Sequence, residues 1–121
     1  MSDNKNNTVE VSYLAVPYSH PDPAVVQSRV DAIDELASVL ISKGHFIFSP
    51  ISMCHGMAMK YGLPGDWEFW RKYNTEMMGR CQKLVVLCID GWKESVGVKA
   101  EIEIATEMGL PVEYVCRGTC S

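Results

Sequence analysis

Four glutamates gather near the last helical stretch of the chain, and one of them is out of place for a surface residue. Glu94, Glu101, Glu103 and Glu107 follow the most apolar run in the sequence, Leu84-Val85-Val86-Leu87-Cys88-Ile89, which reads as a buried strand. A polar turn comes next, and then a helix that opens near Ser95 to Gly97. Glu103 and Glu107 are four apart and repel unless both face water, so they read as a solvated face. Glu94 belongs to the turn. Glu101 differs, because its helical neighbours three, four and seven positions on are Ile104, Ala105 and Met108. It either snorkels out at the helix start or is kept at the carboxyl edge of the sheet for use. A helix N-terminus is expected to favour its ionised form, and an ionised carboxylate held in a cleft is a candidate nucleophile or base.

Ser95 is a good N-cap, and its hydroxyl with the N–H groups of Val96 to Val98 could also hold a phosphate at the same helix start. Asn74 falls in the middle of an apolar stripe formed by Trp67, Trp70, Met77 and Cys81, either as a core amide or as a site residue. Tyr13 lies in the first strand, within possible reach of the helix that carries Glu101. His20, His45 and His55 are too scattered for metal-ligand spacing, and no metal site is expected. Trp67, Trp70 and Trp92 are expected in the core or a lid, with base stacking open to one of them.

The elements that must position these residues alternate. Val11 to Val16 reads as a strand, followed by a loop, Pro17-Tyr18-Ser19-His20-Pro21, that two prolines keep out of either element. Asp22-Pro23 supplies a side-chain cap and a proline at the first helical position. The helix is expected to run to Lys43, with Val26, Val30, Ile33, Ala37 and Leu40 on one face and Gly44 as its stop. His45 to Phe48 reads as a short strand broken at Ser49-Pro50. Residues 51–65 show no clear period and are expected as a lid or binding loop, with room for a short helix around Met57 to Tyr61. Asp66 caps a helix to about Arg80, Lys83 to Ile89 is the third strand, the Glu101 helix lasts to Met108, and Val112 to Cys116 is a last strand.

Strands alternating with helices predict an α/β fold with a parallel sheet and right-handed crossovers. Ligands of such folds lie outside the carboxyl ends of the strands. Those ends are Pro17 to His20, Ser49 to His55 and Asp90 to Ser95, all polar loops. The substrate-contact candidates are therefore Tyr18, Ser19 and His20 from the first loop, and Asp90, Ser95 and Gly97 from the third.

At 121 residues the chain is sized for one domain, expected over residues 10–116 between a frayed start (1–9) and a loose tail (117–121). Its net charge of −4 argues against a nucleic-acid polymer as partner, which usually requires a basic face. No apolar run approaches the roughly 20 residues that span a bilayer, and the polar start is not a signal peptide, so no membrane partner is expected. Cys54, Cys81, Cys88, Cys116 and Cys120 are an odd number without a CxxC pair. They fit reduced thiols and a cytoplasmic location.

Three segments resemble one superfamily, the nucleoside 2-deoxyribosyltransferases and the related 2′-deoxynucleoside 5′-monophosphate N-glycosidases, with an uncharacterised bacterial and phage branch nearest. They are Tyr13-Leu14-Ala15-Val16-Pro17-Tyr18, Gly44-His45-Phe46-Ile47-Phe48-Ser49-Pro50, and Ser95-Val96-Gly97-Val98-Lys99-Ala100-Glu101-Ile102 with Ala105 and Gly109-Leu110-Pro111-Val112. The third is the specific one, since it has the Ser-x-Gly-Val-x-x-Glu spacing of the monophosphate hydrolases.

The resemblance implies a flavodoxin-like, doubly wound parallel sheet of four to five strands in three α/β/α layers, usually homodimeric and without a cofactor. It implies Glu101 as the nucleophile on C1′ of a (deoxy)nucleoside 5′-monophosphate, with hydrolysis or transfer at the N-glycosidic bond. Tyr13 aligns with a tyrosine that positions the nucleophile, and Asn74 with an aspartate that handles a proton. Ser95 stands where transferases of free nucleosides carry an aspartate, which favours a phosphate-bearing substrate. Two positions depart from the pattern: Val16 replaces a glycine, and Asn74 is an amide that cannot be a general acid. The rival expectation is a catalytically silent protein that binds a nucleotide or a nucleotide-derived signal.

Overall fold

The computed structural model describes residues 9–116. Apart from Val9, the start and tail expected as loose ends lie outside the described residues. Within them the order is β1 (Val11–Ala15), α1 (Pro23–Ser42), β2 (Phe46–Phe48), α2 (Pro50–Tyr61), α3 (Trp67–Met78), β3 (Lys83–Cys88), α4 (Val96–Glu107) and β4 (Val112–Cys116). The four strands form one sheet in the order β2-β1-β3-β4, parallel throughout. This is the doubly wound α/β/α arrangement, with the chain switching direction between β1 and β3.

The two faces of the sheet bury separate clusters. Leu14, Val16, Val85 and Leu87 pack with Ile33 and Ala37 of α1. Tyr13, Ala15, Leu84, Val86 and Cys88 pack with Met78 of α3 and with Val98 and Ala105 of α4. The alternation along β1 and β3 therefore sends every second residue to the other layer. Glu101 belongs to α4 and Tyr13 to β1, so both face the same layer.

The helix boundaries follow from local chemistry. Asp22 caps α1 by accepting from the Ala24 N–H at 2.9 Å, with Pro23 in the first turn. Gly44 then turns the chain out at φ +90°, a conformation that a side chain would strain.

One segment differs from the sequence expectation. Residues 50–61 form a full helix, α2, instead of a loop with at most one turn of helix near its end. Ser49-Pro50 acts as a cap and first helical residue and not only as a strand breaker. Its period is hidden because Met53, Met57, Met59 and Tyr61 are exposed apolar residues, while Gly56 lies within the helix. The actual loop is short, from Gly62 to Asp66, after a left-handed cap at Gly62.

Ile33 is fully buried between α1 and the sheet. Ile33→Ala should cost about 2–5 kcal/mol, measured as a shift of the urea midpoint with an unchanged m-value.

Candidate active site

Glu101 lies in the second turn of α4, past the reach of the N-terminal N–H groups, and is 6% exposed. The Tyr13 hydroxyl donates to its Oε2 at 2.6 Å, across 88 positions of sequence. No other described residue bonds to the carboxyl group, and its second oxygen is open to a cavity of about 620 Å³ that Glu101 lines. Burial pushes the Glu101 carboxyl up to about 8, against which the Tyr13 hydrogen bond pulls it down. The expectation that the helix start would keep Glu101 ionised is thus reversed. The dipole effect fades within the first turn, whereas desolvation acts on the whole group. Tyr13 is itself driven far above the usual phenol range, first by burial and then by the neighbouring carboxylate, so it remains a fixed donor.

The cavity opens at the carboxyl ends of β1 and β3. Its walls bring together Tyr18, Ser19, His20, Asn74, Ser95, Gly97 and Glu101, from three segments of the chain. Two candidates do not line the cavity: Tyr13, fully buried behind Glu101, and Asp90, which is exposed. The contribution of Asp90 is its backbone carbonyl, which accepts from Arg29. Val16 is also part of the wall.

Ser95 has both roles available to it. Its Oγ accepts from the Val98 N–H at 3.2 Å as a helix cap, which leaves its hydroxyl proton for a ligand. The first loop is tied down in a similar way. Ser19 Oγ donates to the Gly65 carbonyl at 3.0 Å, Tyr18 Oη and His55 Nδ1 share a hydrogen bond of 2.7 Å, and His20 Nδ1 accepts from the Asp22 N–H at 2.9 Å. The last contact fixes the neutral tautomer with its remaining N–H on Nε2. Trp70 Nε1 donates to the Pro64 carbonyl at 2.7 Å, which anchors the loop between α2 and α3 at the rim.

Asn74 lines the same cavity and is 6% exposed. Its Oδ1 has no hydrogen-bond partner, a state that costs about 1–3 kcal/mol in a folded protein. The unpartnered oxygen is itself sealed from solvent, so Asn74 meets the cavity through the rest of its side chain.

Arg29 was missed from the sequence. It is buried on α1, and its guanidinium lines the cavity. Nη1 donates to the Ser19 carbonyl at 3.0 Å and Nη2 to the Asp90 carbonyl at 3.4 Å, so one side chain ties the β1–α1 loop to the β3–α4 loop. Among the described residues no carboxylate pairs with it. Gly91, at φ +90°, leaves the room the guanidinium occupies; a Cβ there would collide with Nη2. The available signal was position: Arg29 falls three after Val26 and four before Ile33, on the apolar stripe of α1, where a lone charge needs a reason.

The raised Glu101 carboxyl makes a prediction with a definite sign. The folded protein holds the Glu101 proton more tightly than the unfolded chain does. Its contribution to stability is therefore intact below the ordinary carboxylate value of 4.5 and is lost as pH rises toward about 8. Glu101→Gln should match wild type at pH 4 and be more stable by about 2–4 kcal/mol at pH 9. Urea melts at the two pH values measure this.

Among the described residues no helix is long and apolar enough to cross a membrane. No curated protein matches the chain. Residues 10–116 match the family described as Domain of unknown function (DUF1937), and the chain belongs to that family.

Proposed function

We propose that the protein cleaves the N-glycosidic bond of a nucleoside 5′-monophosphate, with Glu101 as nucleophile. One observation carries this reading. A buried carboxyl, held by a single tyrosine and open on its other oxygen, shares a cavity with a buried arginine that has no carboxylate partner among the described residues. The cavity volume of about 620 Å³ is in the range that encloses a small ligand.

The chemistry follows from the two ends of the site. Arg29, the Ser95 hydroxyl, the His20 Nε2–H and the free N–H groups opening α4 supply donors for a phosphate. A phosphate held there leaves the sugar between the loops and Glu101. Once deprotonated, Glu101 attacks C1′ through its free oxygen, while Tyr13 keeps the other oxygen in place. The C1′–N bond breaks with its electron pair going to the base. Water then attacks C1′, the carboxylate is released, and the water's proton passes to solvent. A second base in place of that water would make the same step a transfer.

A silent nucleotide-binding protein is the second reading, and the amide at Asn74 is the observation that favours it. Incubation with a panel of ribo- and deoxyribonucleoside 5′-monophosphates separates the two. Free base should appear with wild type and not with Glu101→Ala. Tight binding with unchanged nucleotide would leave only the silent reading. Because Glu101 must lose its proton, kcat/KM should rise about tenfold per pH unit up to about 8 and then level off. Arg29→Met should raise KM about 100-fold or more for monophosphates, and leave the weak cleavage of the matching nucleosides nearly unchanged.

The site is proposed to work in a homodimer. Met53, Met57, Met59 and Tyr61 of α2 and Phe69 and Tyr73 of α3 are exposed apolar side chains, a composition typical of a covered face.

A further inference from the structure

The reading above leaves one proton unaccounted for. A neutral nucleobase departs as an anion unless a group in the site protonates it, and positioned general acids are worth about 10²–10⁴-fold in rate. The wall that α3 contributes to the cavity offers Trp67, Trp70 and Asn74. Two are indoles and the third is an amide, and none of them can give up a proton as an acid. The other titratable groups are already committed or lie elsewhere. The Tyr18 hydroxyl is bonded to His55, and His20 belongs to the loop that holds Arg29. Asp66, Glu68 and Glu94 are exposed at the mouth, where they add negative charge.

The charge balance of the cavity makes the same point independently. The exposed carboxylates of Asp66 and Glu94 line its mouth together with Glu68, which also pairs with Arg71 at 3.6 Å, while Arg29 supplies the single guanidinium of the lining. A nucleotide with a neutral base brings only negative charge to this setting. One with a positively charged base brings a cation to the acidic rim, where Trp67 and Trp70 also line the wall, and a phosphate to Arg29.

We infer that the preferred substrate carries a base that is already cationic, a pyridinium or an N-alkylated purine, on its 5′-phosphorylated sugar. This rests on the glycosidase reading of the same site. Glu101 attacks C1′, the C1′–N bond breaks, and its electron pair cancels the positive charge on the ring nitrogen. The base leaves neutral and no proton is transferred to it. Asn74 lines the same cavity and, as an amide, acts there by contact with the base and not by proton transfer.

The test compares matched pairs in one assay for released base: nicotinamide mononucleotide against its reduced, uncharged form, and 7-methylguanosine 5′-monophosphate against guanosine 5′-monophosphate, each in ribose and deoxyribose forms. Wild type should favour the cationic member of each pair by 100-fold or more in kcat/KM beyond the ratio of their uncatalysed rates. Asn74→Asp should narrow that gap by accelerating the neutral members, and thermal melting of the variant checks that it folds. Neutral nucleotides cleaved as well as cationic ones by wild type would overturn this inference and leave the glycosidase reading standing. No base released from any nucleotide would overturn both.

Discussion

The hydrogen bond from Tyr13 to Glu101 is the contact on which the rest of the site depends. It joins the first strand to the last helix across 88 positions of sequence, so it exists only once the parallel sheet has formed and α4 has docked. Burial alone would leave a carboxyl group without a partner, at a cost larger than that of most single side-chain contacts. The tyrosine satisfies one oxygen and, because its own proton is held so firmly, does not compete for the charge. The other oxygen is left to the cavity. A protein selected only for stability would fill this place with an apolar side chain, as it does at Val98 and Ala105 on the same helix.

Arg29 stands in a similar relation to the loops. By donating to the carbonyls of Ser19 and Asp90 it fixes the distance between the two strand ends that flank the switch point. Its positive charge is left without a protein counter-ion among the described residues. The two buried ionisable groups of the cavity, an acid that burial holds toward its protonated form and a permanent cation, are thus each held by neutral partners. That arrangement is costly in an empty protein and favourable when a ligand with complementary charges enters.

Much of this was legible in the sequence, for identifiable reasons. The apolar run 84–89, the Asp22-Pro23 and Ser95 caps and the spacing of Ile104, Ala105 and Met108 about Glu101 each report on strictly local geometry. The pairing of Tyr13 with Glu101 came through the resemblance and not from spacing, because a contact between distant segments leaves no periodic trace. Helix α2 was hidden by its outward-facing methionines, which blur the difference between buried and exposed faces. Arg29 was overlooked because an arginine on a helix usually reads as solvated, and only the loops that close over it show otherwise. The ionisation of Glu101 was misjudged from the helix start alone, since how deeply a side chain is buried depends on the neighbouring layers.

The central claim is a covalent bond between Glu101 and the sugar. Its most direct test is mass spectrometry of the protein quenched after mixing with 2′-fluoro-substituted 5′-monophosphates of adenine, cytosine and nicotinamide, in which the electron-withdrawing fluorine slows turnover of a sugar ester. The account predicts a fluoropentosyl phosphate adduct on the peptide that contains Glu101, absent from Glu101→Gln. Base release with no adduct on that peptide, or an adduct on another residue, would contradict it.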